Sequence, residues 1–424
     1  MRFAVSDFSE HIALWPDATK SVYDILMDWH SGCKEGNVMV SGHVKPDYPI
    51  ADWDRGPWNR WTFQHVADVV PTTVVKRGPA VSAIKTTLMD VATIRFKIDD
   101  QECTVENWLK GSETDGFAVL SGNSLVYERY FNGMKANTLH LSQSVAKSVT
   151  ATAFGILAGR GEIDAEALIT DYLPELETTG YRGAKIRHVL DMQSGVYFDE
   201  TSTDPHSDVG KMDVASGWKP MPKDGDWPAT ILDQVLTLKK RVREHGALFE
   251  YRSIETDVMA MAMERATGKK LAAIVSQEIW QPIGASEDAT FTTDRAGYAL
   301  ACGGFNACLM DYARFGQLWA NRGLLQGRRI LPDAWVDDTL QGDTTLFQGD
   351  YTDVLPNGAY RNQFWLRDAG RSTILCRGIF GQLITIDMDR NFVAVKLSSW
   401  PEPSNPVRTR MALAAIEAIA DAIV

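Results

Sequence analysis

The spacing of apolar residues in the first half of the chain predicts a hairpin followed by a helix. Between residues 117 and 131, two runs rich in β-branched and aromatic residues flank the tight-turn sequence Ser121-Gly122-Asn123-Ser124. Farther on, apolar residues from Val145 to Leu157 recur at helical spacing and stop at Gly159. The chain is therefore expected to pass from a hairpin through a loop into a helix that begins near Ser144.

The rest of the chain is helical in its middle and β-rich near its end. From about residue 165 to 325 the spacing is mostly helical, with a helix expected over about 253–266 and a long loop over about 194–228. Three short apolar runs between residues 372 and 397 predict an antiparallel meander, and an Ala-rich amphipathic helix is expected over about 407–423. Strands on both sides of a helical middle are typical of one sheet made from the two terminal parts.

This order of elements predicts an α/β (α+β) fold in which an antiparallel sheet is flanked by helices and carries an inserted, mainly helical region. Residues 1–75, rich in Trp and Pro, are expected to form an extended arm that wraps the main body or reaches a partner subunit. The α/β domain is expected to comprise residues 76–165 and 326–424, and the helical domain residues 166–325.

Composition and charge exclude several classes of function. The chain has 424 residues and a net charge of −12, which argues against nucleic acid or an anionic membrane as its main partner. No stretch approaches the roughly 20 apolar residues of a membrane span, and the start, Met1 to Phe8, lacks the apolar run of a signal peptide, so a soluble cytoplasmic protein is expected. The five cysteines and eight histidines show no metal-ligand spacing, so neither a metal, a cofactor nor a disulfide framework is predicted.

A serine and a lysine at the start of the predicted helix are the first candidates for chemistry. Ser144 and Lys147 are three residues apart, so both side chains share one face of the helix. The free N–H groups and positive dipole end at a helix N-terminus favour an anion and disfavour an ammonium, as activation of a serine requires. The alternative is a serine that caps the helix and a lysine that points into solvent.

Two further segments offer the groups that a serine nucleophile needs besides a base. Tyr251 lies just before a predicted helix next to Arg252, and a tyrosine flanked by cations can hold a lowered pKa and relay a proton. Gly378-Ile379-Phe380-Gly381 precedes a buried strand, where two glycines let the backbone approach a ligand closely. An ordinary core tyrosine and a simple β-bulge or turn are the alternatives.

In this order, the three segments resemble the serine β-lactamase and penicillin-recognising superfamily, specifically its 6-aminohexanoate-dimer hydrolase and esterase branch. The likeness covers about residues 59–402 and is not confined to the motifs. It includes Asn59-Arg60-Trp61-Thr62-Phe63-Gln64-His65, the 117–131 hairpin, Val189-Leu190-Asp191-Met192-Gln193, Ser216-Gly217-Trp218 and Lys396-Leu397-Ser398-Ser399-Trp400-Pro401.

The resemblance implies a β-lactamase-like fold and acyl transfer through an acyl-enzyme. Ser144 would attack a carbonyl carbon, while Lys147 and Tyr251 accept its proton and pass it to the leaving group. Which of these two is the base stays open, because such a coupled pair shares one proton. The backbone N–H groups of Ser144 and Ile379 would bind the oxyanion, and Ser253 would position Lys147.

Some positions depart from the pattern of the family. Members that act on β-lactams carry Lys-Thr-Gly or His-Thr-Gly on the strand beside the site, whereas here Gly378-Ile379-Phe380-Gly381 offers no cation. Phe198 stands where amide-cleaving relatives have a tyrosine that donates to the leaving nitrogen, and Cys302 stands in place of a pocket asparagine. Because a phenyl ring cannot donate, an ester is the safer prediction. Trp218 and Trp365 are expected to wall the acyl pocket or, alternatively, to pack in the core.

The function predicted from these residues is hydrolysis of a small carboxylic ester or amide. An amide hydrolase of the 6-aminohexanoate-oligomer type is the first alternative, followed by a β-lactamase or peptidase. The alternative outside enzymes is an inactive scaffold that binds a ligand. The expected partners are a small-molecule substrate and, as suggested by the N-terminal arm, a second copy in a homodimer.

Overall fold

The computed structural model of the protein describes residue 42 and residues 44–99 and 101–424. Most of the first 43 residues of the predicted arm, Cys33 included, lie outside these described residues. The α-helices found in the described part of the chain are Asn59–Thr62, Val105–Gly111, Val145–Gly159, Ile169–Tyr172, Ile186–Leu190, Asp208–Ala215, Ile231–Thr237, Ile254–Thr267, Leu271–Val275, Leu309–Ala320, Asp333–Thr339, Tyr351–Val354 and Pro406–Ile423. The strands there are Thr72–Val75, Lys85–Thr86, Arg95–Ile98, Gln101–Thr104, Thr114–Ser121, Ser124–Tyr130, His140–Leu141, Ala289–Thr292, Phe305–Ala307, Leu324–Leu325, Arg328–Arg329, Ala359–Arg361, Phe364–Leu366, Thr373–Gly378, Gln382–Asp387 and Phe392–Ser398.

An eight-stranded sheet, called the large sheet below, forms the centre of the α/β part. Its strands come from both ends of the described chain, in the order Ala359–Arg361, Phe364–Leu366, Thr373–Gly378, Gln382–Asp387, Phe392–Ser398, Thr114–Ser121, Ser124–Tyr130 and Lys85–Thr86. All neighbours are antiparallel except the last pair, where a two-residue strand adds in parallel at the edge. The predicted antiparallel sheet built from the terminal parts is therefore confirmed.

Helices cover both faces of the large sheet. On strand Phe392–Ser398, Val393 and Val395 belong to one apolar cluster, whereas Phe392 and Ala394 belong to a second cluster on the opposite face. Successive side chains of a strand point to opposite faces, so a strand with helices on both faces is apolar at nearly every position. Helices Val145–Gly159 and Leu309–Ala320 contribute to the first cluster, and the C-terminal helix Pro406–Ile423 contributes to the second.

The middle of the chain contains more β-structure than its helical spacing predicts. Strands Thr72–Val75, Ala289–Thr292, Phe305–Ala307 and His140–Leu141 form a second sheet in that order. These strands have two to four residues each, too few to show an alternating pattern. Helix Leu309–Ala320, placed in the helical domain by its sequence, packs on strands of the large sheet. The domain boundaries as a whole stay a prediction.

The stretch 194–228 is not a continuous loop, so that prediction is wrong at its centre. A helix runs from Asp208 to Ala215, and the side chain of Ser207 accepts a hydrogen bond from the N–H of Gly210 at its start. A glycine in the first turn and a length of only eight residues hide this helix from the apolar pattern. In the described residues, no helix combines the length and the apolar character that a membrane crossing requires.

Candidate active site

Ser144 lies at a tight turn between the second sheet and helix Val145–Gly159. The strand His140–Leu141 is tied to its neighbour, and both the N–H and the hydroxyl of Ser142 donate to the carbonyl of Phe305, each at 2.9 Å. Gln143 then takes a left-handed backbone conformation, with φ of 51°. A non-glycine residue in that region costs free energy, and the surrounding structure must hold it. This turn places the side chain of Ser144 at the surface of a cavity.

Lys147 contacts Ser144 directly. Its ammonium nitrogen donates to Oγ of Ser144 at 3.0 Å and to the backbone carbonyl of Cys302 at 2.7 Å. Lys147 is only 2% exposed, so its position is fixed by these partners and by the surrounding core. The structure thus brings the serine and the lysine together, as their spacing predicts.

Tyr251 completes a group of three side chains. Its phenol lies close enough to Ser144 and Lys147 for both to act on its pKa, and the lysine nitrogen lies 5.1 Å from the centre of its ring. Burial raises the pKa of Tyr251, although the charge of Lys147 and the hydrogen bond from Ser144 act in the opposite direction. The expected lowering of this pKa is therefore wrong. Arg252, the flanking cation, pairs with Glu250 and Glu255 instead.

The pKa of Lys147 is raised as well. Burial lowers it, but the charges of Tyr251, Cys302 and Glu200 together outweigh burial. Both shifts favour the protonated forms, the ammonium of Lys147 and the neutral phenol of Tyr251. The pair must lose one proton before either member can act as a base.

The backbone of Ile379 lies beside the serine because Gly378 has no side chain. A Cβ atom added to Gly378 would lie 2.5 Å from the carbonyl oxygen of Ser142 and 3.1 Å from the Cβ of Gln143. The predicted close approach of a glycine is thus toward the turn that carries Ser144. Among the described residues, no acceptor is found for the backbone N–H of Ser144 or of Ile379, which leaves both N–H groups available to an oxyanion.

Two cavities meet at Ser144. The larger has a volume of about 240 Å³ and mainly apolar walls, whereas the smaller has about 90 Å³ and includes Asp54, Arg55 and Asp213 in its wall. Residues that line both are Ser144, Ser202, Val209, Ser253, Ile379 and Pro403. A carbonyl group at the junction would place one half of a substrate in each cavity.

The two predicted wall tryptophans line different cavities. Trp365 lines the larger one and stacks on Tyr251, with ring centres 5.5 Å apart. Trp218 lines the smaller one, where its indole N–H donates to Thr292 at 2.9 Å and its ring packs on Trp53.

The other predicted pocket residues have less direct positions. Cys302 lines the smaller cavity, and burial raises the pKa of its thiol well above the usual value. Phe198 is buried in the core and lines neither cavity. Ser253 lines both cavities, but its N–H and its hydroxyl donate to the carboxylate of Glu200 and not to Lys147. A role for Ser253 in positioning Lys147 would therefore be indirect.

Two charged residues of the larger cavity escape the sequence analysis. Glu200 follows Phe198 by two positions, and its charge acts on both Lys147 and Tyr251. Arg377 immediately precedes Gly378, so the strand beside the site does offer a cation, one residue before the stretch in which none is found. Neither residue belongs to a recognisable motif. Only the position of Arg377, next to the glycine, could have indicated that it lines the cavity.

Comparisons with known proteins show the family of the chain. A model of the Beta-lactamase family matches residues 109–418. The chain is 35% identical over 380 residues to a 6-aminohexanoate-dimer hydrolase from Paenarthrobacter ureafaciens, and the match covers 87% of this chain and 94% of the relative.

Solved structures show the same fold. A protein from Bacillus anthracis, named as a candidate 6-aminohexanoate-dimer hydrolase, superposes with a TM-score of 0.82 at 28% identity, over 89% of this chain and 98% of that one. A family VIII carboxylesterase superposes with a TM-score of 0.56 at 18% identity, over 74% and 95% of the two chains. The predicted β-lactamase-like fold is confirmed by these matches, and the chain belongs to the beta-lactamase family of serine hydrolases.

Proposed function

We propose that the protein hydrolyses a small carboxylic ester or amide through an acyl-enzyme formed on Ser144. One observation carries the proposal: Oγ of Ser144 lies 3.0 Å from the nitrogen of Lys147 and shares a cavity wall with Tyr251, at the junction of two cavities. A nucleophile in contact with a base, which is itself held by a third group, is the arrangement that acyl transfer requires.

The reaction begins when the deprotonated Lys147 and Tyr251 pair takes the proton of Ser144. Oγ then bonds to the carbonyl carbon, and the carbonyl oxygen becomes an oxyanion that accepts hydrogen bonds from the N–H groups of Ser144 and Ile379. The pair returns the proton to the leaving oxygen or nitrogen as the bond to carbon breaks. Water attacks the acyl-enzyme by the same route in reverse order and releases the acid.

An ester is the preferred substrate class. The alcohol of an ester leaves with little need of protonation, whereas the nitrogen of an amide must be protonated as it leaves. Among the described residues that line the cavities, Tyr251 and Tyr351 are the phenols, and Phe198 offers none. The lysine and tyrosine pair is thus the donor nearest to the leaving group.

An amide hydrolase of the 6-aminohexanoate-oligomer type is the second candidate, because the relative with 35% identity bears the name 6-aminohexanoate-dimer hydrolase. Matched esters and amides with the same acyl group, together with the linear dimer of 6-aminohexanoate, separate the two candidates. Turnover of the dimer that equals or exceeds turnover of the matched ester would favour the amide hydrolase. Nitrocefin in the same panel tests for β-lactamase activity.

Replacement of the nucleophile tests the mechanism. Ser144→Ala is expected to lower kcat for a 4-nitrophenyl ester by at least about 1,000-fold, because no other group can form the acyl-enzyme. The same variant is expected to lose covalent labelling by a fluorophosphonate, as seen by mass spectrometry. Ser372→Ala, in a surface turn, is the matched control and should keep both the ester hydrolysis and the covalent labelling of the wild type. Labelling that survives in Ser144→Ala would place the nucleophile elsewhere, and a wild type that is neither labelled nor active would favour an inactive scaffold.

A further inference from the structure

The loop that carries Ile379 is the tip of a hairpin in the large sheet. The two strands of this hairpin stay paired up to Gly378 and Gln382, so only the three residues 379–381 join them. Phe380 takes a left-handed backbone conformation, with φ of 61° and ψ of 22°, although it is a bulky and buried residue. Such a conformation costs free energy and persists only where the surrounding structure holds it. The loop therefore depends on contacts from outside its own three residues.

The side chain of Gln382 folds back onto this loop. It is 2% exposed, and its amide nitrogen donates to the carbonyl oxygens of Phe380 at 3.2 Å and of Ile379 at 3.4 Å. The same nitrogen donates to the carbonyl of Ser398 at 2.6 Å, and the amide oxygen accepts a hydrogen bond from the N–H of Ser398 at 3.1 Å. A primary amide has two N–H donors and one acceptor oxygen, so the loop and Ser398 together occupy the whole group.

Ser398 is a firm anchor for this contact. It ends the strand Phe392–Ser398, which is an inner strand of the large sheet, and its hydroxyl accepts a hydrogen bond from the side chain of Lys396. Lys396 is fully buried and also donates to the carbonyl of Ser112 at 3.2 Å. Gln382 thus ties the tip of the hairpin to a strand that the core itself holds in place.

Two contacts fix Ile379, one on each side of it along the chain. Before it, Gly378 lies so close to the carbonyl of Ser142 that a Cβ atom would not fit. After it, the amide of Gln382 holds the carbonyls of the next two peptide groups. Because each peptide group is planar and only φ and ψ can turn between groups, these two contacts set the direction of the N–H of Ile379.

We infer that Gln382 is a positioning residue: its amide holds the tip of the hairpin so that the N–H of Ile379 points at the oxyanion. The inference rests on the proposed function and deepens its oxyanion site. Gln382 acts through the backbone of Ile379 and not on the reacting atoms. The N–H of Phe380 also donates to Pro403 at 2.8 Å, and its carbonyl accepts from Trp400 at 3.2 Å, so loss of the glutamine contact should loosen the loop and not unfold it.

Removal of the amide tests the inference. Gln382→Met keeps the length of the side chain and is expected to lower kcat for 4-nitrophenyl butanoate by about 10-fold or more, with a change in KM below about 3-fold, because a misplaced oxyanion donor matters in the transition state. Inhibition by butylboronic acid, which forms a tetrahedral adduct on Ser144, should weaken by a similar factor. Gln382→Glu should lose more, since an ionised carboxylate cannot donate to carbonyl groups.

Gln363→Met is the matched control. Gln363 is also buried, and its amide nitrogen donates to the carbonyls of Val189 and Leu190, each at 3.1 Å, away from the two cavities. This variant should lose thermal stability, as Gln382→Met does, but should keep kcat and the inhibition by the boronic acid. In every variant kcat is divided by the fraction of protein that a fluorophosphonate labels, so that unfolded protein does not count.

Hydrogen exchange followed by mass spectrometry provides a measurement that needs no turnover. Peptides that span residues 378–382 and 396–400 should exchange faster in Gln382→Met than in the wild type and in Gln363→Met. A wild type that hydrolyses no ester would refute the proposed function alone, and faster exchange would still support the hold of Gln382 on the loop. Unchanged exchange would overturn the inference, as would unchanged kcat and boronic acid inhibition in an active Gln382→Met, or an equal loss of kcat in Gln363→Met.

Discussion

The two cavities that meet at Ser144 differ in size, in wall and in the part of the chain that forms them. The larger is walled by the large sheet and the C-terminal part of the chain, through residues such as Trp365, Leu383 and Trp400. The smaller is walled by helix Asp208–Ala215 and by residues near position 54, where Asp54 pairs with Lys219. The larger cavity is thus formed mainly by the framework of the fold, with Glu200, Val209 and Tyr251 added from the middle of the chain, and the smaller mainly by that middle part and the described end of the N-terminal segment.

Because the cavities differ, we expect the two halves of a substrate to be recognised by different parts of the chain. A cavity wall made from a rigid sheet suits a substrate half of fixed shape. A cavity wall made from loops and a short helix can vary in sequence without disturbance of the sheet. Of the proposed catalytic groups, Ser144 and Ile379 line both cavities, whereas Tyr251 lines only the larger and Lys147 only the smaller. Substitutions at the junction should therefore affect all substrates, and substitutions in one wall should affect one half.

The largest effect after loss of Ser144 is expected at the junction, in Gly378→Ala. The added Cβ would meet the carbonyl oxygen of Ser142 at 2.5 Å, so the strand and Ile379 must move away from the serine. Loss of one oxyanion donor lowers kcat by about 100-fold or more, and kcat should fall by the same factor for all esters. Gly370→Ala is the matched control, because its Cβ would come no nearer than 3.5 Å to Asp368. Unchanged kcat in Gly378→Ala would argue against Ile379 as an oxyanion donor.

Substitution of one wall residue in each cavity should separate the contributions of the two halves of the substrate. Trp365→Ala is expected to lower kcat/KM about 10-fold in a series of esters that vary in one half, and Trp218→Ala in the series that varies in the other half. Trp365→Phe keeps a ring against Tyr251 and serves to distinguish loss of the wall from loss of support for the tyrosine. Equal effects of both alanine variants on the same series would contradict the division into two cavities.

The smallest effect is a shift of the pH profile in Glu200→Gln. The charge of Glu200 raises the pKa of both Lys147 and Tyr251, and activity requires that this pair lose a proton. In the wild type kcat/KM should therefore rise with pH, and without this negative charge the rise should occur at lower pH. The expected shift is about half a unit to one unit, measured from pH 6 to pH 10. Asp350→Asn, in the same cavity, should leave the profile in place, and a shift toward higher pH in Glu200→Gln would refute the argument.

The parts of the molecule that depend on local spacing could be predicted from the sequence. The hairpin near residue 122 and the meander near residue 385 have strands of six to eight residues, long enough to show their patterns. Ser144 and Lys147 share one helical turn, so their contact follows from helix geometry alone. Tyr251 and Ile379 are remote in sequence from Ser144, so local spacing marked their segments only as candidates, and the resemblance to a family joined them to Ser144 in one site.

What depends on tertiary contacts could not be predicted. The direction of the pKa of Tyr251 is set by burial, which a flanking arginine in the sequence does not reveal. Glu200 and Arg377 reach the larger cavity from two separate segments, and neither has a partner at a characteristic spacing. The strands of the second sheet are too short to show a period, although one of them leads directly to Ser144.

The contact between Gly378 and the turn at Ser142 joins segments from the first and last parts of the described chain. Ser144 and Lys147 can come together within a single helix, but the proposed oxyanion site exists only once those distant segments have docked. Catalysis therefore reports on completed long-range assembly and not on the content of helix, and during refolding the return of activity should follow the slow closure of the sheet. A chain that has regained its helices but not this docking would be compact, partly ordered and enzymatically silent.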